Sequence, residues 1–203
     1  PTFSTGQIQQ LLAVIDTPSA QGYRDYVIIL TFLDTGLRVS ELIGLQLPNV
    51  SLDEAQLKVL GKGNKERLIP VGRKVCQYLV RYISRYRPSP TRLKEDRLFL
   101  SWDGFPLTKD RMGSILRGYG QKAHIEGVRC SPHTLRHTAA VSYLRQGGDP
   151  FTLQRLLGHS TLDMTRRYCE LADLDLQRVH QMASPVDNID VKMPSRPFRP
   201  SRG

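Results

Sequence analysis

The sequence predicts a mostly helical fold with one small antiparallel β-sheet, an α+β class, on three observations. Apolar residues recur at helical spacing in most segments, as Ile8, Leu11, Leu12 and Ile15 do near the start. One stretch, NVSLDEAQLKVLGKGNKERLIPV (49–71), switches to strand-like alternation around a turn rich in Gly and Asn. And 203 residues, 39% hydrophobic and 24% charged, suffice for one soluble domain with a buried core. That domain is expected at residues 1–183. Residues 184–203, SPVDNIDVKMPSRPFRPSRG, read as a basic tail rich in Pro and Arg, packing in trans or disordered.

The elements follow in order. A first helix is predicted over Thr5–Asp16 and a second over Tyr23–Asp34, stopped at Gly36. A short third begins near Ser40 and carries Glu41, Leu42 and Leu45. Leu57 and Val59 on one side of the turn at Gly61–Lys65, with Leu68 and Ile69 on the other, predict a hairpin. A strand at Val50–Leu52 would extend it to three strands. Helix resumes over Lys74–Tyr86 and stops before Pro88; a loop with Phe99 and Trp102 leads to another over Thr108–Ala123. Ser131 and Pro132 form a cap and first-turn pair for a helix over Pro132–Gln146, closed by Gly147 and Gly148. Helices over Pro150–Leu157 and Leu162–Leu171, then one to Met182, complete the domain.

Charge narrows the function classes. Lys and Arg number 29 against 19 Asp and Glu, a formal net charge of +10. Such an excess suits a polyanionic partner, and nucleic acid is the better expectation, because no apolar run approaches the ~18 residues that span a bilayer. The N-terminal PTFSTGQIQQ has no signal-peptide pattern, so a cytoplasmic setting is expected. Cys76, Cys130 and Cys169 are odd in number and scattered, which argues against a disulfide framework or a thiolate zinc site.

The segment SPHTLRHTAA (131–140) concentrates chemistry. His133 and His137 have the spacing of the zinc motif HExxH, but Thr134 stands where that motif has its glutamate, Arg136 adds a fixed cation, and no third ligand stands out. No metal is expected. His133 and Arg136 instead share a face at the helix N-terminal turn, where free amides and the dipole favour an anion and a guanidinium matches phosphate oxygens. TGLRVSEL with Arg38, GKGNKERLIP with Lys62, LLGHS with His159 and TRRYCEL with Tyr168 supply further polar residues at element boundaries. Taken singly, each is more often structural.

Together, in this order and within this wording, they resemble the tyrosine recombinase or phage integrase family, and the Xer-like and transposon-integrase branch above all. The resemblance runs from Thr5 to Met182. It implies a tyrosine recombinase catalytic-domain fold and a DNA strand-transfer enzyme working without metal, ATP or any cofactor. Tyr168 would be the nucleophile forming a 3′-phosphotyrosyl link; Arg38 and Arg136 would clamp the scissile phosphate, and His159 would donate a hydrogen bond to it. Lys62 would protonate the leaving 5′-oxygen, with Lys65 as its rival, and His133 would act as general base or phosphate contact. Glu41 would buttress the site, its alternative being an exposed helix carboxylate, while Lys65, Arg67, Arg166 and Arg167 would touch the DNA. His137 reads as structural or supporting, and Cys169 as packing inward.

The implied partners are double-stranded DNA, a homo-tetramer on synapsed sites and accessory directionality factors, in a bacterial or phage-encoded protein at the nucleoid, with no membrane. Leu174, Leu176, Val179 and Met182, followed by Arg196, Arg199 and Arg202, would dock on a neighbouring protomer or back on their own chain. The family's N-terminal clamping domain has no counterpart ahead of Thr5, so a catalytic-domain fragment is expected. Two other readings stay open: a type IB topoisomerase-like relaxase, and a non-cleaving DNA-binding regulator on the same scaffold.

Overall fold

Ser4 begins the helical framework with a reciprocal cap: its hydroxyl accepts from the Gln7 N–H at 3.2 Å and its own N–H donates to Gln7 Oε1 at 2.9 Å. The computed structural model describes residues 1–61, 66–172, 176–187 and 189, the side chains of 176–179 excepted. Helix α1 (Thr5–Ala13) ends three residues before the predicted Asp16, yet Ile15 still inserts into the core from the turn. Helix α2 (Ala20–Thr35) starts earlier than its apolar run, because the Ser19 hydroxyl accepts from the Gly22 N–H at 3.0 Å. It stops at Gly36, whose φ of 60° is left-handed and where an added Cβ would come 2.8 Å from Leu157 Cδ2. Both the sharp turn and the close approach require glycine there.

Helix α3 (Val39–Ile43) follows at once, and then the sheet: β1 (Val50–Ser51), β2 (Gln56–Leu60) and β3 (Glu66–Pro70), antiparallel in that order. Leu57 faces Ile69 and Val59 faces Arg67 across β2 and β3, so the apolar members of the pair turn to the core. Residues 62–65 lie outside the described residues, and with them Lys62 and Lys65. Helix α4 (Arg73–Arg81) widens into a π-turn over Tyr82–Tyr86, closed by the Arg87 N–H on Tyr82 O at 2.8 Å. Tyr82 is fully buried beside Phe99, and Tyr86 stacks on Tyr23 with ring centroids 4.2 Å apart. Trp102, in the loop that follows, is exposed.

Helices α5 (Lys109–Lys122), α6 (Pro132–Arg145), α7 (Pro150–Leu157), α8 (Asp163–Ala172) and α9 (Leu176–Ala183) complete the described chain. The expected class, mostly helical with a three-stranded antiparallel sheet, is the observed one. Among the described residues no helix is long and apolar enough to cross a membrane.

Two apolar clusters form the interior. The larger gathers Val27, Ile28, Ile29 and Phe32 of α2 with side chains from the sheet, α4 and α5; the smaller joins Ala140, Val141 and Leu144 of α6 to Leu153, Leu157, Tyr168 and Ala172. Each such aliphatic or aromatic side chain contributes roughly 1.5–3 kcal/mol on full burial. Helix α6 packs on α2, α7 and α8, which explains why its central residues, Thr134–Arg136 and Thr138–Val141, are buried. Cys169 lies half-buried against the smaller cluster, as does Tyr143.

Candidate active site

One open cleft collects Arg38, His133, Arg136, His159 and Tyr168, with Ser40, His137 and Arg167 also on its wall. Local structure delivers each. Arg38 caps α3, His133 and Arg136 lie in the first two turns of α6, His159 follows the left-handed Gly158 that ends α7, and Tyr168 comes from α8.

Arg136 is the most constrained of them. It is 8% exposed and, among the described residues, has no carboxylate within ion-pair distance. Its guanidinium donates to the carbonyls of Gly36 and, at 2.9 Å, of Leu157, and its Nη2 lies 3.2 Å from His159 Nε2. Burial, then the charge of Arg38, lowers its pKa, yet a guanidinium remains a cation at any physiological pH. Two main-chain carbonyls thus hold a buried positive charge at the cleft without neutralising it.

Glu41 lies beneath. Its carboxylate takes both arms of Arg67, at 2.8 and 2.9 Å, and also Arg38 Nη1 at 3.1 Å and the Arg38 N–H at 2.9 Å. Arg38 keeps a second tie to Gly158 O at 3.2 Å and is about one-third exposed. Burial alone would raise the Glu41 pKa; hydrogen bonds from Arg67 and the Arg38 N–H, with both guanidinium charges, outweigh it and hold the pKa below the usual carboxylate value. The alternative of an exposed helix carboxylate therefore does not hold. Arg67, expected from sequence to face DNA, instead turns both arms to Glu41 with its side chain only 16% exposed.

Glu41→Ala is expected to destabilise the domain by about 3–5 kcal/mol in chemical denaturation, since it strands a buried guanidinium. The pH dependence has a fixed sign. A carboxylate with a depressed folded pKa contributes its stability above the unfolded pKa, ~4.3, and loses it as pH falls through the lower folded value.

His159 is held at both nitrogens, Nε2 by Arg136 and Nδ1 by Thr165 Oγ1 at 3.0 Å. Burial first, then the charges of Arg136, Arg38 and Arg67, push its pKa down to about 4, so the ring is neutral at pH 7. The ring of Tyr168 stacks over it, with centroids 5.9 Å apart and planes 11° from parallel. Burial raises the Tyr168 pKa, and the charge and hydrogen bond of Arg136 oppose this most strongly, followed by Arg167 and Arg38. At rest the nucleophile candidate is a phenol beside a cation.

His137, read from sequence as merely supporting, is in the cleft. Its Nε2 lies 2.6 Å from His133 Nε2 and its ring centroid 5.1 Å from that of Tyr168. Burial, then the charges of His133 and Arg167, lower its pKa. The spacing of the pair was the available signal. Arg166 is exposed and pairs loosely with Glu170 at 3.5 Å, whereas Arg167 lies on the cleft wall. Met182 is exposed; Leu174, Arg196, Arg199 and Arg202 fall outside the described residues, as do the side chains of Leu176 and Val179. Among the described residues no three His, Cys, Asp or Glu side chains gather where they could hold a metal ion.

Known proteins align with this arrangement. The model of the phage integrase family matches residues 2–174. Tyrosine recombinase XerD of Staphylococcus aureus is 36% identical over 182 residues, covering 88% of this chain and 61% of its own length. The chain thus spans about three-fifths of the curated relatives it matches. Among solved structures, XerA recombinase superposes with a TM-score of 0.76 at 30% identity, over 91% of this chain and 65% of that one. The catalytic domain of bacteriophage HP1 integrase gives 0.66 at 25%, over 92% and 96%. The Tn1549 transposon integrase, solved with circular intermediate DNA, gives 0.70 at 26%, over 83% and 62%. From the family match and these superpositions, the chain belongs to the phage integrase family and has the fold of a tyrosine recombinase catalytic domain.

Proposed function

We propose that this domain cuts and rejoins one strand of double-stranded DNA at specific sites, with Tyr168 as nucleophile. The observation that carries the reading is Arg136, a buried cation with no carboxylate partner among the described residues, facing the same cleft as Arg38, His159 and the Tyr168 phenol. A phosphodiester brings the missing negative charge. The Tyr168 oxygen attacks phosphorus, the bond to the 5′-oxygen breaks, and a 3′-phosphotyrosyl link and a free 5′-hydroxyl result. Arg38 and Arg136 stabilise the charge that grows on the non-bridging oxygens. The phenolic proton passes to the His133–His137 pair, and Lys62 protonates the departing 5′-oxygen. The reverse sequence rejoins the strands.

The same reading assigns the assembly and setting. The domain works as a homo-tetramer on two synapsed sites, with the segment after Tyr168 docking on a neighbour and directionality factors choosing the outcome. It does so in the cytoplasm, at the nucleoid of a bacterial host. Lys65, Arg166 and Arg167 grip the DNA backbone.

Incubation with a randomised pool of nicked duplexes, in which cleavage releases a short fragment and traps the enzyme, tests the reading. A covalent protein–DNA adduct resistant to denaturation is expected; tight DNA binding with no adduct would favour the non-cleaving regulator. Efficient relaxation of supercoiled DNA of any sequence would favour the topoisomerase. Affinity should fall steeply with salt, log Kd tracking log[salt] with a slope near 0.9 for each neutralised phosphate. A salt-independent affinity would contradict backbone recognition.

A further inference from the structure

Thr165 lies in α8 three residues before Tyr168 and is fully buried. Threonine hydroxyls inside helices commonly bond back to the carbonyl four residues earlier. Three threonines of this protein do so: Thr31 to Val27 O and Thr138 to Thr134 O, each at 2.8 Å, and Thr35 to Thr31 O at 2.5 Å. Thr165 does not. Its hydroxyl is turned to His159 Nδ1 at 3.0 Å, across a separation of six residues.

The other ring nitrogen fixes what that contact must be. Nε2 lies 3.2 Å from Arg136 Nη2, and a guanidinium can only donate. Nε2 is therefore the acceptor, Nδ1 carries the proton, and Thr165 Oγ1 accepts it. A phosphate in the cleft reverses the demand. Arg136 turns its donor to the anion, and His159 can join it only by presenting Nε2–H. In a ring that keeps the neutral form favoured by burial and by Arg136, Arg38 and Arg67, Nδ1 becomes a bare acceptor that needs a donor.

A carboxylate at position 165 would serve only the first state, and an ammonium donor only the second. A hydroxyl rotates to serve both. We propose that Thr165 is a positioning residue whose hydroxyl supports both neutral tautomers of His159, accepting from Nδ1–H in the free protein and donating to Nδ1 when phosphate engages Nε2–H. The change loses one proton from Nδ1 and gains one at Nε2 by exchange with water in the cleft, leaving the net charge unaltered. The second state rests on the strand-cleavage reading; the first does not.

Two-bond proton–nitrogen correlation spectra of the 15N-histidine-labelled protein read the tautomer directly. In the free protein His159 should show a protonated Nδ1 and a bare Nε2. On saturation with inorganic phosphate the pattern should invert. Thr165→Val keeps the shape of the side chain and removes the hydroxyl; it should lower the thermal midpoint by several degrees, leave DNA affinity close to wild type and slow adduct formation about tenfold. Thr165→Ser should restore the rate to within about twofold of wild type.

An Nε2-protonated ring in the free protein, or a Thr165→Val variant that inverts and cleaves as wild type does, would overturn the proposal. If the wild type forms no adduct, strand cleavage fails as the function, while the free-protein spectrum still decides the Thr165 contact. If the adduct forms and Thr165→Val matches wild type, only the role of Thr165 falls.

Discussion

Tyr168→Phe should abolish the covalent protein–DNA adduct while leaving DNA binding intact. The substitution removes one oxygen. The ring remains in the cluster of Leu144, Leu153 and Leu157, stacked on His159, so neither the fold nor the cleft loses its packing. What disappears is the nucleophile, and removing one from an enzyme costs on the order of 10⁶ in rate. Tyr143 is the nearest rival by sequence, but it is half-buried against the smaller cluster and is absent from the cleft wall. An adduct that persists in Tyr168→Phe would move the nucleophile elsewhere.

Arg136→Lys should slow cleavage by about 10²–10³-fold in single-turnover assays, with a much smaller change in DNA affinity. Lysine keeps the charge, so the loss isolates geometry. The guanidinium reaches Gly36 O, Leu157 O and His159 at once, which an ammonium on a flexible stem cannot reproduce. Arg136→Ala is the less informative change, because it also strands two buried carbonyls at about 1–3 kcal/mol each. A rate within tenfold of wild type for Arg136→Lys would mean that the fork does not hold the reacting phosphate.

These two residues were legible in the sequence for different reasons. Arg136 and His133 announced themselves by sharing a face beside a Ser131–Pro132 helix start, a local signal that the structure preserves in α6. Tyr168 was distinguished from the other tyrosines only by its place after LLGHS, through resemblance to a family. Helix stops at glycines were legible as well, since Gly36 and Gly147 both adopt positive φ.

What escaped the sequence is what depends on distant pairing or on main chain. Glu41 and Arg67 stand 26 positions apart, and nothing local says that the arginine turns inward instead of to DNA. The carbonyls of Gly36, Leu157 and Gly158 that seat the two arginines leave no trace in residue type. Thr165 reads as ordinary helix filler until its hydroxyl is seen 3.0 Å from His159 Nδ1. The start of α2 was misplaced for a simpler reason: the cap at Ser19 sets it, whereas the apolar run begins only at Tyr23.

The account stands on a bond between the Tyr168 oxygen and a DNA 3′-phosphate, and mapping the trapped adduct by peptide mass spectrometry observes it. The account predicts a single modified peptide, with the nucleotide on Tyr168 and a 5′-hydroxyl on the released strand. A nucleotide on any other residue, or a linkage through a 5′-phosphate, would contradict it.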